Sequence, residues 1–230
     1  MDTGKSYHKQ ATGAALETVQ QHATDQDITL FAGCFCPFVQ RVWVALEYLE
    51  IPYKVYEVDP YKKPQELLEL SSKGLVPALR LNGYVPPRAL NESTVILEYL
   101  EDLASTSTKR SLLPPLSDPY ARALVRLQSD HANPCRRRSW RNGVMEGGVY
   151  DIHDCQGYSE ATNVLKHYRG LELPRGPKFD GWLNRLFQHP AFKCTCSTEE
   201  LYLDSYERYA FNRPNTSQVA NAINTGRGLP

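Results

Sequence analysis

No run of about 18 consecutive apolar residues occurs in the sequence, so no helix is expected to span a bilayer. Neither sign of charge is in excess: 26 Lys and Arg face 26 Asp and Glu, for a formal net charge of zero. That balance favours neither nucleic acid nor an anionic membrane as a partner. The run Arg136, Arg137, Arg138 is a local exception and reads as a solvated charge run. Residues 1–21, MDTGKSYHKQATGAALETVQQ, lack an apolar core of signal-peptide type. Six cysteines in such a chain are expected as reduced thiols in the cytoplasm, not as a disulfide scaffold. Zinc spacing is missing as well. Cys135, Cys155, Cys194, Cys196, His131 and His153 contain no two Cys-x-x-Cys units, so no metal site is assigned.

What is present is enough apolar residue, 41%, to build a core in 230 residues, as one large domain or two small ones. Residues 1–26 read as a polar, loosely ordered leader. DITLFAG predicts a strand ending at Gly33, and Phe38, Val42, Ala45, Leu46 and Leu49 then recur at helical spacing. YKVYEV, residues 53–58, is a second strand, and PQELLELSS a short helix. LVPALRLNGYVPPRAL reads as a hairpin turning at Asn82-Gly83. NESTVILEYLEDLA is a helix with Asn91 as its N-cap. A strand, a helix and a further strand imply a parallel pair with a right-handed crossover. The expected unit, residues 27–104, is therefore an α/β thioredoxin-like domain with a mixed four-stranded sheet.

A linker follows at 105–118. An all-α domain is expected over 119–210, carried by PYARALVRLQSDHA, ATNVLKHYRGL and PKFDGWLNRLFQHPAF. Within it, 134–160 lacks helical periodicity. Residues 211–230 are expected to form a disordered tail.

Cys36 precedes Pro37, and Pro37 opens a helix. Proline suits the first helical turn, where its missing N–H has no partner to lose. Cys36 is then the N-cap, its sulfur facing exposed amides that favour an anion. A thiol attacks as its thiolate, and a helix N-terminus lowers a cysteine pKa from about 8.5. The competing reading is a buried, inert thiol acting as a small hydrophobe. Val39 occupies the place where a dithiol enzyme carries its second cysteine, so a one-thiol mechanism follows. Cys34, one residue away from Cys36, ends the strand and reads as structural.

FCPFVQRV, KKP, GLVPAL and NEST, in that order, resemble the omega class of glutathione transferases. The resemblance covers 28–104 and resumes at 161–210. It implies that Cys36 forms a mixed disulfide with glutathione, a co-substrate. Phe38 would line the glutathione site and Lys63 contact the glycyl end. Val76, before a cis Pro77, would pair with the cysteinyl backbone, and Glu92 and Ser93 would hold the γ-glutamyl end. Ser93 and its neighbouring amides open a helix, a site suited to a carboxylate. Glu92 supplies a counter-charge for an ammonium. The implied activity is thiol transfer to a small electrophilic or disulfide substrate, with dehydroascorbate reduction or deglutathionylation as family examples. The family is homodimeric; the irregular 134–160 segment argues against a complete interface and predicts exposed apolar faces at Trp182, Leu183 and Leu186. Two other readings carry the same Cys-Pro-Phe motif: a non-catalytic binding protein or inactive shortened isoform, and a chloride-channel-type relative.

Overall fold

The computed structural model describes residues 7–132, 164, 166–168, 170, 175–211 and 213. After a first helix, α1 (Gly13–Gln21), the order is β1 (Ile28–Ala32), α2 (Pro37–Leu49), β2 (Lys54–Glu57), α3 (Gln65–Leu70), β3 (Ala78–Leu81), β4 (Arg88–Asn91) and α4 (Ser93–Thr106). Then come α5 (Pro119–Ala132), α6 (Pro177–Gln188), α7 (Pro190–Lys193) and α8 (Glu199–Ala210). Strands lie in the order β2-β1-β3-β4. β1 pairs with β2 in parallel (Leu30 opposite Val55), whereas β1–β3 and β3–β4 are antiparallel. The expected thioredoxin-like domain with its mixed four-stranded sheet is therefore present, followed by helices.

Every residue of β1 is buried, as a central strand covered on both faces requires. Side chains alternate along it. Ile28, Leu30 and Ala32 enter the main core with Val42, Leu46, Leu49 and Leu100 from α2 and α4. Phe31 points the other way, onto Val58, Leu67 and Ala78 under α3. Burying a side chain such as Leu46 stabilises the fold by roughly 1.5–3 kcal/mol relative to leaving it in water. The late helices join the same core through Trp182, Leu186, Phe192, Leu201 and Tyr202. Among the described residues no helix is long and apolar enough to cross a membrane.

Four expectations need correction. Residues 1–26 are not wholly a loose leader: α1 buries Ala15 and Thr18, and the Thr18 hydroxyl donates to the Cys194 carbonyl at 2.7 Å. Asn82-Gly83 does not form a two-residue turn. Leu81 pairs with Arg88, so 82–87 is a six-residue loop containing a cis Val85-Pro86 bond. Asn82 instead anchors that loop, its amide nitrogen donating to the Gln26 carbonyl at 2.8 Å. Asn91 is not the N-cap of α4 but the last residue of β4; Glu92 occupies the N-cap position, without a side-chain cap hydrogen bond. Finally, Trp182 and Leu186 are not exposed: they retain 6% and 2% accessibility, packed into the main core. Residues 134–160, expected to lack helical periodicity, lie outside the described residues, as does the tail beyond Arg213.

Candidate glutathione site

The turn between β1 and α2 presents Cys36. Its backbone is extended (φ −82°, ψ 119°), Pro37 takes the first helical position, and no side chain caps the helix. The Cys36 carbonyl accepts from the amides of Val39 at 3.1 Å and Gln40 at 3.0 Å, closing the first turn. Its sulfur is half-buried and donates to the Val76 carbonyl at 3.8 Å. Gly33 lies against both: a Cβ there would make ordinary van der Waals contact with Val76 Cγ2 at 3.4 Å and Cys36 Cβ at 3.6 Å. Cys34, Cys36, Cys194 and Cys196 form no disulfide.

Beside this turn lies a cleft of about 260 Å³. Its walls include Phe38 from α2, Val76 and Pro77 before β3, and Glu92 and Ser93 at the start of α4. Five of the seven residues singled out in the sequence thus line one cleft. Cys36 adjoins it through Val76. The Val76-Pro77 bond is cis. Lys63 stands apart. Its ammonium donates to the Lys73 carbonyl at 3.0 Å, and its stem packs over Gly74, where a Cβ would lie only 2.6 Å from Lys63 Cδ. Gly74 also has φ +59°, so a side chain there is excluded twice. Burial lowers the Lys63 pKa. Of the two adjacent lysines, Lys62 is exposed and Lys63 half-buried.

Glu92 has φ 69° and ψ 113°, a conformation rare for a residue with a side chain. Such outliers persist where the surroundings over-determine them, and they gather at ligand sites. The Glu92 side chain does not cap α4, so the first amides of that helix receive no side-chain oxygen.

Sequence reasoning missed several contributors. Ser71 and Lys73 line the cleft, in a short segment without motif. Arg41, from the largely apolar stretch PFVQRVWVAL, is buried and donates through Nη1 to the Ser93 hydroxyl at 3.2 Å. A charged residue in a helix stretch dominated by Val39, Val42, Trp43 and Val44 was the available signal. Away from the cleft, burial and the neighbouring Glu47 carboxylate push the Cys194 thiol up to about 12. Among the described residues no three or more His, Cys, Asp or Glu side chains are grouped to hold a metal; Cys135, Cys155 and His153 lie outside them.

Comparison with known proteins agrees with this architecture. The family model of the glutathione S-transferase N-terminal domain matches residues 30–108. Pyrimidodiazepine synthase of Drosophila melanogaster is 40% identical over 221 residues, spanning 83% of this chain and 89% of that protein. Among solved structures, glutathione transferase Omega 3C from Trametes versicolor is 31% identical, covering 90% of this chain and 100% of its own, with a TM-score of 0.73. A rice glutathione transferase solved in complex with glutathione shares the fold at 21% identity, covering 83% of this chain and 99% of its own with a TM-score of 0.66. The chain belongs to the glutathione S-transferase family, whose members are glutathione transferases and related glutathione-dependent enzymes.

Proposed function

We propose that this protein is an omega-class, glutathione-dependent thiol transferase with Cys36 as its nucleophile. The observation that carries the reading is the half-buried Cys36 sulfur at the uncapped start of α2, beside the cleft walled by Val76, Glu92 and Ser93. The 31% identity to an omega-class structure supports the class.

In the proposed reaction the Cys36 thiolate attacks the glutathione sulfur of a mixed disulfide, RS–SG. A Cys36–SG disulfide forms, and the RS⁻ leaving group takes a proton to become RSH. A second glutathione thiolate then attacks the bound glutathione sulfur, releasing GSSG and regenerating the Cys36 thiolate. The amides opening α2 stabilise that anion each time it forms. Val76 pairs with the cysteinyl backbone of glutathione, against the face of Phe38 and Pro77. Ser93 and the first amides of α4 receive the γ-glutamyl carboxylate. Glu92 faces the α-amino group, and Lys63 attracts the glycyl carboxylate. The mixed disulfide RS–SG is the second substrate of this step, with dehydroascorbate or a glutathione conjugate as alternative acceptors, and the compartment is the cytoplasm.

Site-resolved mass spectrometry after brief exposure to oxidised glutathione tests it. Cys36 should carry the adduct first. Cys36→Ser should lower thiol transfer by about a thousandfold or more, as expected for loss of a covalent nucleophile. Thiol transfer retained by Cys36→Ser would sink the assignment.

A further inference from the structure

The buried contact between Arg41 and Ser93 fixes more than local packing. A guanidinium can only donate hydrogen bonds, so the Ser93 oxygen must accept from Arg41 Nη1 across their 3.2 Å contact. A hydroxyl has a single O–H and two acceptor lone pairs; Arg41 occupies one lone pair, and the positive charge of its guanidinium disfavours a second cation at the other. The hydroxyl proton is then left to be donated elsewhere. Arg41 keeps 3% accessibility and Ser93 8%, so the contact is shielded from competing water, while Ser93 forms part of the cleft wall. The first amides of α4, uncapped by any side chain, add donors to the same end.

We propose that Arg41 is a positioning residue of the glutathione site: it holds Ser93 as a donor, so that this end of the cleft takes a carboxylate and refuses an ammonium. This rests on the proposed glutathione reading and extends it to how the ligand's polarity is chosen. Donation from a charged group polarises the hydroxyl and strengthens the hydrogen bond it makes in turn. Glu92, the adjacent residue, presents the opposite preference. Together they orient the γ-glutamyl end, with carboxylate at Ser93 and ammonium at Glu92. Because Arg41 sits five residues beyond Cys36 on α2, one rigid element carries both the nucleophile and the group that orients the anchor of its co-substrate.

The test is calorimetric binding to the full chain with three peptides. These are glutathione, γ-aminobutyryl-Cys-Gly (which lacks the γ-glutamyl carboxylate) and glutaryl-Cys-Gly (which lacks the amine). Arg41→Met should weaken glutathione and glutaryl-Cys-Gly by about tenfold each, the scale of one charge-assisted hydrogen bond. Its affinity for γ-aminobutyryl-Cys-Gly should stay within about twofold, since that peptide has nothing for Ser93 to bind. Arg41→Lys, still a donor, should restore part of the discrimination. Equal weakening of all three peptides in Arg41→Met would mean a structural role alone and overturn the inference while leaving the glutathione reading standing. Wild-type protein that fails to bind glutathione would overturn both. If Arg41→Met does not fold, the ratio of glutathione to γ-aminobutyryl-Cys-Gly affinity in Arg41→Gln and Arg41→Lys decides. A ratio unchanged from wild type in both would overturn the inference.

Discussion

His22 Nε2 lies 3.0 Å from a Glu47 carboxylate oxygen, joining the end of α1 to α2. The other ring nitrogen, Nδ1, lies 3.0 Å from the Tyr53 carbonyl. Both partners are acceptors, so both ring nitrogens must donate, and only the imidazolium does so. The hydrogen bond to Glu47 is the main reason the His22 pKa is raised, against the opposing effect of burial.

Stability should follow that proton. A group whose pKa is higher folded than unfolded contributes fully below the unfolded value, about 6.5 for His, and loses its contribution as pH rises through the folded value. His22→Gln should therefore cost about 1.5–3 kcal/mol at pH 5.5, the range for hydrogen bonds to charged groups. The deficit should shrink as pH rises through the raised pKa. Thermal melts of both proteins across pH 5.5–9 measure it; a pH-independent gap would refute the ionic account.

Glu47 also controls a thiol. Cys194 donates to its second oxygen at 3.6 Å, and burial together with that carboxylate pushes the thiol to about 12. At pH 8 a thiol with that pKa is about one part in ten thousand thiolate. Cys194 should stay unlabelled by iodoacetamide under conditions that label Cys36 completely. Glu47→Gln removes the anion and should raise the Cys194 labelling rate at least severalfold. Peptide mapping of both proteins reads the two sites separately.

These contacts also explain what the sequence could and could not reveal. The order from β1 to α4 was legible because its signals are local: alternation around Leu30, helical spacing from Phe38 to Leu49, Cys36-Pro37 at a helix start. The cleft was legible through short motifs whose residues Phe38, Val76, Pro77, Glu92 and Ser93 converge in space. Helix α1 was not, because its apolar stripe is narrow and its order comes from distant backbone, as where the Ala15 amide meets the Cys196 carbonyl at 3.1 Å. Asn91 misled for a related reason. Asparagine before Glu-Ser looks like a cap, but its side-chain amide donates to the Leu70 carbonyl at 2.8 Å and ties β4 to α3. Arg41 carries only a weak local signal, a charge in a largely apolar stretch of helix, and the fold alone brings it to Ser93.

Glu92 separates function from stability. Its φ of 69° costs of order 1–3 kcal/mol for a residue with a side chain, and glycine escapes that cost. Glu92→Gly should melt at the same temperature as wild type or higher, while losing glutathione affinity. Glu92→Gln keeps the shape and removes the counter-charge. It should raise the glutathione KM by about tenfold or more with little change in melting temperature. A Glu92→Gly protein that both melts lower and binds glutathione normally would show the conformation to be structural.

Glu101 holds the linker to α4. The carboxylate is 4% exposed and accepts from the Ser111 hydroxyl at 2.6 Å, the Leu112 amide at 2.7 Å and Arg122 Nη2 at 3.3 Å. Leu112 and Leu113 are buried beside it, so the segment expected as a plain linker is pinned by one buried side chain. Removing one partner of a buried pair leaves the other charge uncompensated, at a cost of about 3–5 kcal/mol. Glu101→Ala should lose about that much in urea unfolding, and limited proteolysis should open first within 105–118. Arg122→Met alone should cost less than Glu101→Ala, because without Arg122 the Glu101 carboxylate keeps two further donors, the Ser111 hydroxyl and the Leu112 amide. The double variant should then be less destabilised than the sum of the singles, since each single strands a charge that the double does not. Strict additivity would mean that the two side chains stabilise the junction independently, through the backbone contacts each makes.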